Sequence, residues 1–129
     1  MRLRQLLEVV FVGRLTVRRG DGDITVNAAP GEVFSLIQQG ARNWSWKVYF
    51  DDGTGGDGMS FLVKGSLLKD NSAETHLELF ASGPSETVIA AVGSRGALME
   101  AFDGNRLGVG VKKFRNRVLD ATELILRST

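Results

Sequence analysis

The chain contains no cysteine, only two prolines and a single histidine, His76, among its 129 residues. Without cysteine it can form neither a disulfide nor a cysteine-ligated zinc site, and it has no thiol nucleophile. The same absence fits a reducing compartment, so we expect a cytoplasmic protein. A metal site built on two histidines of one chain is also excluded. The sequence predicts no metal and no cofactor.

The chain also lacks an excess of charge of one sign, and it has no long apolar run. Sixteen Lys and Arg residues balance fifteen Asp and Glu residues, which leaves a net charge of +1. This balance predicts no general attraction to nucleic acid, and we interpret the basic clusters at 14–19 and 112–117 as solvated faces. Glu8 interrupts the apolar start too early for a signal peptide, and no apolar run is long enough for a stable membrane span.

The chain is instead rich in hydrophobic residues, 43% of the total, and these recur with clear periods. Such a content fills the core of one ordinary domain, so we predict a single domain over residues 1–129. The clearest helix covers residues 111–126, because its apolar residues recur at steps of three and four. These residues are Val111, Phe114, Val118, Ala121 and Ile125.

Most of the remaining sequence alternates with the period of a strand. We predict strands over residues 8–17, 23–28, 44–51, 60–68, 74–81 and 86–93. Pro30 favours a short helix over 30–39. Residues 97–102 indicate a turn or two of helix, which Gly104, Gly108 and Gly110 would break. The predicted fold is α+β, an antiparallel sheet of five to six strands curved around the long C-terminal helix.

Two segments resemble a known superfamily. The segment DITVNAAPGEVFSLI, residues 23–37, is a strand followed by a proline-started helix with a Val-aromatic pair. It resembles the opening of the START-like, or SRPBCC, superfamily. AVGSRGALMEAF at 91–102, followed by VKKFRNRVL at 111–119, resembles the end of one branch, the proteins similar to a component of carbon monoxide dehydrogenase. The resemblance covers residues 23–126 and leaves 1–22 as an N-terminal hairpin arm.

The resemblance implies a helix-grip fold, in which the sheet wraps around the C-terminal helix and encloses an apolar cavity. Many members bind lipids or other hydrophobic molecules, and some are cyclases or hydrolases. This chain departs from the pattern in two places. The strand at 8–17 precedes the usual first strand, and the second short helix has almost no room between Gly40 and Trp44. A missing helix would leave the cavity mouth open, or closed by a partner chain.

Two polar features have both a chemical and a structural interpretation. His76 shares a strand face with Glu74 and Glu78, so a general acid or a pH switch is conceivable, but a solvated strand face is favoured. Residues 51–58 combine carboxylates with glycines, but their spacing does not fit an EF-hand loop. We therefore interpret 51–58 as a surface hairpin loop.

Three hypotheses for the function follow. The first is a binding module that holds an apolar small molecule or lipid between the sheet and the C-terminal helix. The second is a non-catalytic interaction protein with a filled core, a homo-oligomer formed through an exposed edge or the N-terminal strand. The third is a cyclase or isomerase that uses His76 or a carboxylate, and the sequence favours a non-enzymatic function. The predicted ligand-binding residues are Phe34, Ile37, Trp44, Trp46, Phe61, Val63, Leu77, Leu79, Phe114 and Val118.

Overall fold

A computed structural model describes residues 15–56, 58–68, 71–96 and 107–129. The fold is α+β, with a six-stranded antiparallel sheet in the order β1-β2-β6-β5-β4-β3. The strands are β1 (Val17–Arg19), β2 (Asp23–Val26), β3 (Lys47–Asp51), β4 (Ser60–Leu68), β5 (Asn71–Gly83) and β6 (Glu86–Gly96). The helices are α1 (Pro30–Gly40), a short 3₁₀ helix (Ala41–Asn43) and α2 (Leu107–Arg127).

The strand predictions agree with the structure in type and differ at the ends. β4 has the predicted bounds, and β5 and β6 are longer than predicted. The strand predicted over 44–51 begins only at Lys47, because the 3₁₀ helix is closed by a hydrogen bond from Trp44 N to Ala41 O at 3.0 Å. Of the strand predicted over 8–17, residues 8–14 lie outside the described residues, and of the others only Val17 belongs to a strand, since β1 covers Val17–Arg19. The helical turn predicted over 97–102 also lies outside the described residues.

Helix α2 begins at Leu107, before the predicted start at residue 111. The prediction that Gly108 and Gly110 lie in a break before the long helix is wrong, because both glycines lie inside its first turns. A glycine in a helix costs only about 1 kcal/mol relative to alanine, which tertiary packing can offset. The buried face is also wider than the predicted stripe, since it includes Leu119 and Leu126.

The two faces of the sheet differ in what covers them. On one face, the fully buried side chains of Ile24, Ile89 and Leu77 pack beneath α1 and α2. On the other face, Tyr49, Phe80 and Val92 are 53%, 46% and 47% exposed. Successive strand side chains point to opposite faces, so this difference follows from the period-two pattern. The core therefore lies between one face of the sheet and the helices.

Gly65 on β4 lets α2 approach the sheet closely. A Cβ atom at this position would lie 2.7 Å from Phe114 Cε1 and 2.7 Å from Trp46 Cδ1. Phe114 itself is fully buried, and its ring meets the Trp46 ring edge-on at a centroid distance of 5.7 Å. The absence of a side chain at Gly65 thus creates the space that both rings occupy.

An ion-pair network fastens β1 to α2. Arg19 Nη1 lies 2.6 Å from Asp120 Oδ1 and 3.1 Å from Glu123 Oε1. Arg127 Nε pairs with Glu123 Oε2 at 2.7 Å, and Arg127 Nη2 donates to the Val17 carbonyl at 2.8 Å. The interpretation of the basic clusters as solvated faces is therefore wrong for Arg19, whose side chain is only 23% exposed.

The same contacts shift two pKa values. For Glu123, the hydrogen bond from Arg127 is the largest cause, and with Arg19 it lowers the pKa against the opposing effect of burial. For Arg19, burial alone would lower the pKa. The hydrogen bonds and charges of Asp120 and Glu123 outweigh burial, so the pKa of Arg19 is raised. Both shifts favour the charged forms, as expected for paired opposite charges.

Phe114→Ala should destabilise the fold strongly, since its ring is fully buried against Gly65 and Trp46. We expect a loss of about 3–5 kcal/mol in the free energy of unfolding, as for other large-to-small core changes. Urea denaturation measures it. Leu124→Ala on the same helix is the control, because Leu124 is 67% exposed and should change stability by less than about 0.5 kcal/mol. A loss under about 1 kcal/mol for Phe114→Ala would contradict this placement of the helix.

The Glu123 contacts predict a stability that falls in acid. Because the folded pKa of Glu123 lies below its ordinary value of 4.5, its contribution is complete above that value and is lost as the pH falls through the folded pKa. Glu123→Gln should therefore be less stable than the wild type near neutral pH and approach it in acid. Urea denaturation at several pH values tests this, with Glu78→Gln on the sheet face away from the helices as the control. An unchanged difference between Glu123→Gln and the wild type at low pH would contradict the assignment.

Candidate functional site

Eight of the ten predicted ligand-binding residues form one continuous part of the hydrophobic core. Each is at most 6% exposed, and together they lie between the sheet and the helices. They are Phe34, Ile37, Phe61, Val63, Leu77, Leu79, Phe114 and Val118. Aromatic contacts tie this region together, since Phe50 lies 5.6 Å from Phe34 and 5.7 Å from Phe61 between ring centroids.

The other two predicted residues, Trp44 and Trp46, lie at the margin of this core and are only partly buried. Their rings meet edge-on with centroids 5.4 Å apart. Arg117 lies over the Trp46 ring, with its guanidinium carbon 5.5 Å from the centroid. Trp44 lines one surface pocket and Trp46 lines another. The indole pair therefore separates two concave regions.

The first region is a groove between the C-terminal ends of the two helices, which we call the helix-end groove. It encloses about 640 Å³, within the range of small-molecule sites. None of the described side chains that line it carries a charge. These residues are Leu36, Gln39, Gly40, Asn43, Trp44, Ala121, Leu124, Ile125, Ser128 and Thr129.

Close packing of the helices forms the floor of the groove. A Cβ atom on Gly40 would lie 2.6 Å from Ile125 Cγ1 and 2.7 Å from both Ile125 Cδ1 and Ile125 Cγ2. Gly40 therefore allows Ile125 to seat on the last turn of α1. At the end of α2, Ser128 Oγ donates to the Leu124 carbonyl at 2.6 Å, and Thr129 Oγ1 donates to the Ile125 carbonyl at 2.9 Å. The Leu124 carbonyl also accepts a hydrogen bond from Ser128 N at 3.0 Å, whereas the Thr129 side chain supplies a donor at the helix end, where carbonyls lack helical partners.

Sequence reasoning identified only Trp44 among the groove residues. Ala121 and Ile125 were assigned to the helix stripe, but nothing in the pattern distinguished a groove wall from a packed interface. Leu124 is an apolar residue outside the predicted stripe, but so are the buried Leu119 and Leu126, so the sequence could not single it out. Leu124 is 67% exposed beside the groove.

The second region, at the end of the sheet, is smaller and polar. It encloses about 560 Å³ and is lined by Ser45, Trp46, Lys47, Lys64 and Gly65. Lys47 and Lys64 are direct cross-strand neighbours on β3 and β4. We call this region the lysine-pair pocket.

The features considered for catalysis or metal binding lie elsewhere. His76 alternates along β5 with buried Thr75 and Leu77, so it lies on the sheet face opposite the helices. In the β3–β4 loop, Asp51 Oδ1 accepts a hydrogen bond from Gly53 N at 3.0 Å, and Asp52 Oδ1 accepts one from Thr54 N at 3.0 Å. The second bond lowers the pKa of Asp52. Within the described part of the chain, no group of three potential metal ligands is assembled.

The chain matches no protein-family model and no curated protein. Among the described helices, none is both long and apolar enough to cross a membrane. The candidate site is therefore inferred from the geometry of the structure alone. That geometry places an uncharged groove and a cationic pocket on either side of one pair of tryptophans.

Gly40→Ala should cost about 1–3 kcal/mol of stability, as overpacking does, because the added methyl group meets Ile125. In an Ile125→Ala background the same change should cost little, since the obstructing side chain is gone. A double-mutant cycle by urea denaturation measures the coupling.

Gly31→Ala is the matched control in the same helix, because the nearest atom to its added Cβ, Met59 Cε, lies 3.8 Å away. We expect Gly31→Ala to be neutral or to stabilise the helix by up to about 1 kcal/mol. Equal effects of Gly40→Ala in the two backgrounds would show that Ile125 does not form the groove floor.

Proposed function

We propose that the protein binds an apolar small molecule or lipid, and that the apolar part of this ligand occupies the helix-end groove. The observation that carries the proposal is the groove itself, about 640 Å³ in volume and lined by described side chains without charge. Leu124 supports it, because a large apolar side chain that is 67% exposed at the rim loses contact with water when a ligand covers it.

The expected affinity is moderate. Burial of apolar surface contributes about 25 cal/mol per Å². Fixing the ligand offsets part of this gain, which leaves a dissociation constant in the micromolar range. The side chains of Gln39, Asn43, Ser128 and Thr129 supply only neutral polar groups. We therefore expect broad selectivity among apolar ligands.

The groove lies between the ends of the two helices, and no described strand residue lines it, whereas the sequence resemblance implies a cavity between the sheet and the C-terminal helix. The groove adjoins the 3₁₀ helix Ala41–Asn43, where the resemblance would place a second short helix. Of the ten predicted ligand-binding residues, Trp44 lines the groove. We propose that Trp44 contacts the ligand and that the eight buried residues support the groove from the core.

One observation supports a second candidate function, an oligomeric interaction protein. Tyr49, Phe80 and Val92 expose large apolar side chains on the sheet face away from the helices. A second chain could cover that face, and this possibility makes no use of the groove. The enzymatic alternative has less support, because His76 lies on the same outer face and not at the groove.

Titration with dodecanol, a neutral apolar probe, should change the tryptophan fluorescence saturably with a micromolar midpoint. Leu124→Glu should weaken this binding at least about tenfold, because a carboxylate would have to lose water in an apolar groove. Trp44→Phe should retain binding and reduce the signal. Phe80→Glu, on the opposite face, is the matched control and should bind as the wild type does.

Two results would contradict the proposal. One is the absence of a saturable response to any apolar probe, and the other is loss of binding in Phe80→Glu but not in Leu124→Glu. Native mass spectrometry of the same samples reports bound ligand and subunit count together. A discrete oligomer that dissociates in Phe80→Glu would support the second candidate function.

A further inference from the structure

β3 lies at one edge of the sheet, and one of its sides is open. It is the last strand in the sheet order, and among the described strands only β4 pairs with it. No described residue outside the sheet makes a backbone hydrogen bond to Lys47–Asp51. The backbone groups on the side away from β4 are therefore available to a further strand.

The opposite edge of the sheet is less open. β1 contains only three residues, Val17–Arg19. Arg127 Nη2 donates a hydrogen bond of 2.8 Å to the Val17 carbonyl, so a side chain already occupies a backbone acceptor of this strand. Short strands and covered edges prevent pairing with other chains. β3, with five residues, is therefore the edge better suited to accept a strand.

The alternation of hydrogen bonds shows which backbone groups of β3 lie on its open side. Leu79 N donates to the Met59 carbonyl at 3.0 Å, so the backbone groups of Met59 face β5. Successive residues of a strand face alternate neighbours, so the backbone groups of Leu62 face β3, where Leu62 is paired with Tyr49. The N–H and C=O groups that point away from β4 are those of Val48 and Phe50.

The side chains of β3 are complementary to the same sequence in reverse. Lys47, Tyr49 and Asp51 are exposed on the sheet face away from the helices, whereas Val48 and Phe50 are half-buried on the helix side. An antiparallel pairing centred on Tyr49 places Lys47 opposite Asp51 of a second copy. The same register places Val48 opposite Phe50 of that copy, and two-fold symmetry repeats both pairs.

The charges of the single chain favour this pairing. Lys47 lies directly opposite Lys64 on β4, and like charges in this position destabilise a sheet. Among the described residues, neither Lys47 nor Asp51 forms an ion pair. Glu74 Oε2 lies 3.8 Å from Lys64 Nζ on one side of the lysine pair. Asp51 of a second copy would supply a carboxylate on the other side, next to Lys47.

We infer that the β3 edge binds the β3 edge of a second copy, so that two six-stranded sheets form one continuous antiparallel sheet. Each pair of Val48 with Phe50 exchanges two backbone hydrogen bonds. The pairs of Lys47 with Asp51 determine the register, because a shift by two residues places Tyr49 opposite one of these charges and removes both ion pairs. This inference goes beyond the proposed function, since no residue of Lys47–Asp51 lines the helix-end groove.

The dimer should be reversible. A strand of five residues buries less surface than a standard protein–protein interface, so we expect a dissociation constant in the micromolar range. Its ion pairs are exposed to solvent, so higher salt should weaken the dimer. Sedimentation velocity of the full chain over a range of protein and salt concentrations measures both effects.

Charge reversal tests the register. Lys47→Asp gives the dimer two contacts between aspartates, and Asp51→Lys gives it two contacts between lysines. Each variant should therefore dimerise at least about tenfold more weakly than the wild type. A mixture of the two variants restores every pair of opposite charges, so it should form a heterodimer about as tight as the wild-type dimer. Native mass spectrometry identifies this heterodimer, because its mass differs from those of both homodimers.

Three further variants are controls. Lys113→Asp makes the same charge change at an exposed position of α2, and it should leave dimerisation unchanged. Phe80→Glu should also leave it unchanged, because Phe80 lies on the sheet face and not at the β3 edge. Lys47→Asp combined with Asp51→Lys in one chain restores both ion pairs and should dimerise as the wild type does. Denaturation curves show whether each variant is folded.

Hydrogen exchange of the wild type tests the backbone pairing without any substitution. The amides of Val48 and Phe50 should exchange more slowly as the protein concentration rises, because they become hydrogen-bonded in the dimer. The amide of Tyr49 should change little, since it faces β4 in the single chain. Equal exchange of the amides of Val48 and Phe50 at low and high concentration would contradict this pairing.

The remaining outcomes are equally decisive. A wild-type chain that stays monomeric at about millimolar concentration overturns the inference. A dimer that survives both charge reversals, or that dissociates in Phe80→Glu, shows a different interface and also overturns it. Absence of a heterodimer in the mixture contradicts the register. Dodecanol binding is measured separately, so each of these results leaves the proposed function unaffected.

Discussion

The position of α2 depends on one close contact, the Phe114 ring over Gly65 of β4. A side chain at Gly65 would occupy the space that the rings of Phe114 and Trp46 share. Because Trp46 is held there, Trp44 is held beside it, and the two pockets lie on either side of the pair. The contact therefore determines both the depth of the core and the placement of the candidate site.

The regular elements could be predicted because their patterns are local. Period-two alternation located β4, β5 and β6, and the helical period located most of α2. The ends of elements were less predictable, since they depend on competing contacts. Gly108 and Gly110 did not delay the start of α2 to residue 111. The 3₁₀ helix moved the start of β3 beyond Trp44. The Arg19 network was not predictable at all, because its partners are far away in the sequence.

The candidate site was predictable only in part, for a physical reason. An apolar residue on an inward face satisfies a filled core and a cavity wall equally well, so the pattern that selected Phe61 or Val63 could not distinguish the two. The groove forms where the ends of α1 and α2 meet, and its residues come from two segments about eighty positions apart. Its shape depends on Gly40 and Ile125 meeting, which is a property of packing between helices.

The contact between Arg19 and Asp120, which are separated by 101 residues, has a consequence for the time at which the protein folds. β1 is held by α2 through the ion pairs and through the bond from Arg127 to the Val17 carbonyl. A nascent chain on the ribosome lacks α2 until almost all of the sheet has been synthesised. Until then the inner face of the sheet has no cover from α2, and long-range pairings of this kind are slow to form. The stable structure therefore arises only after α2 has been synthesised, and until then the uncovered strands are open to association with other chains.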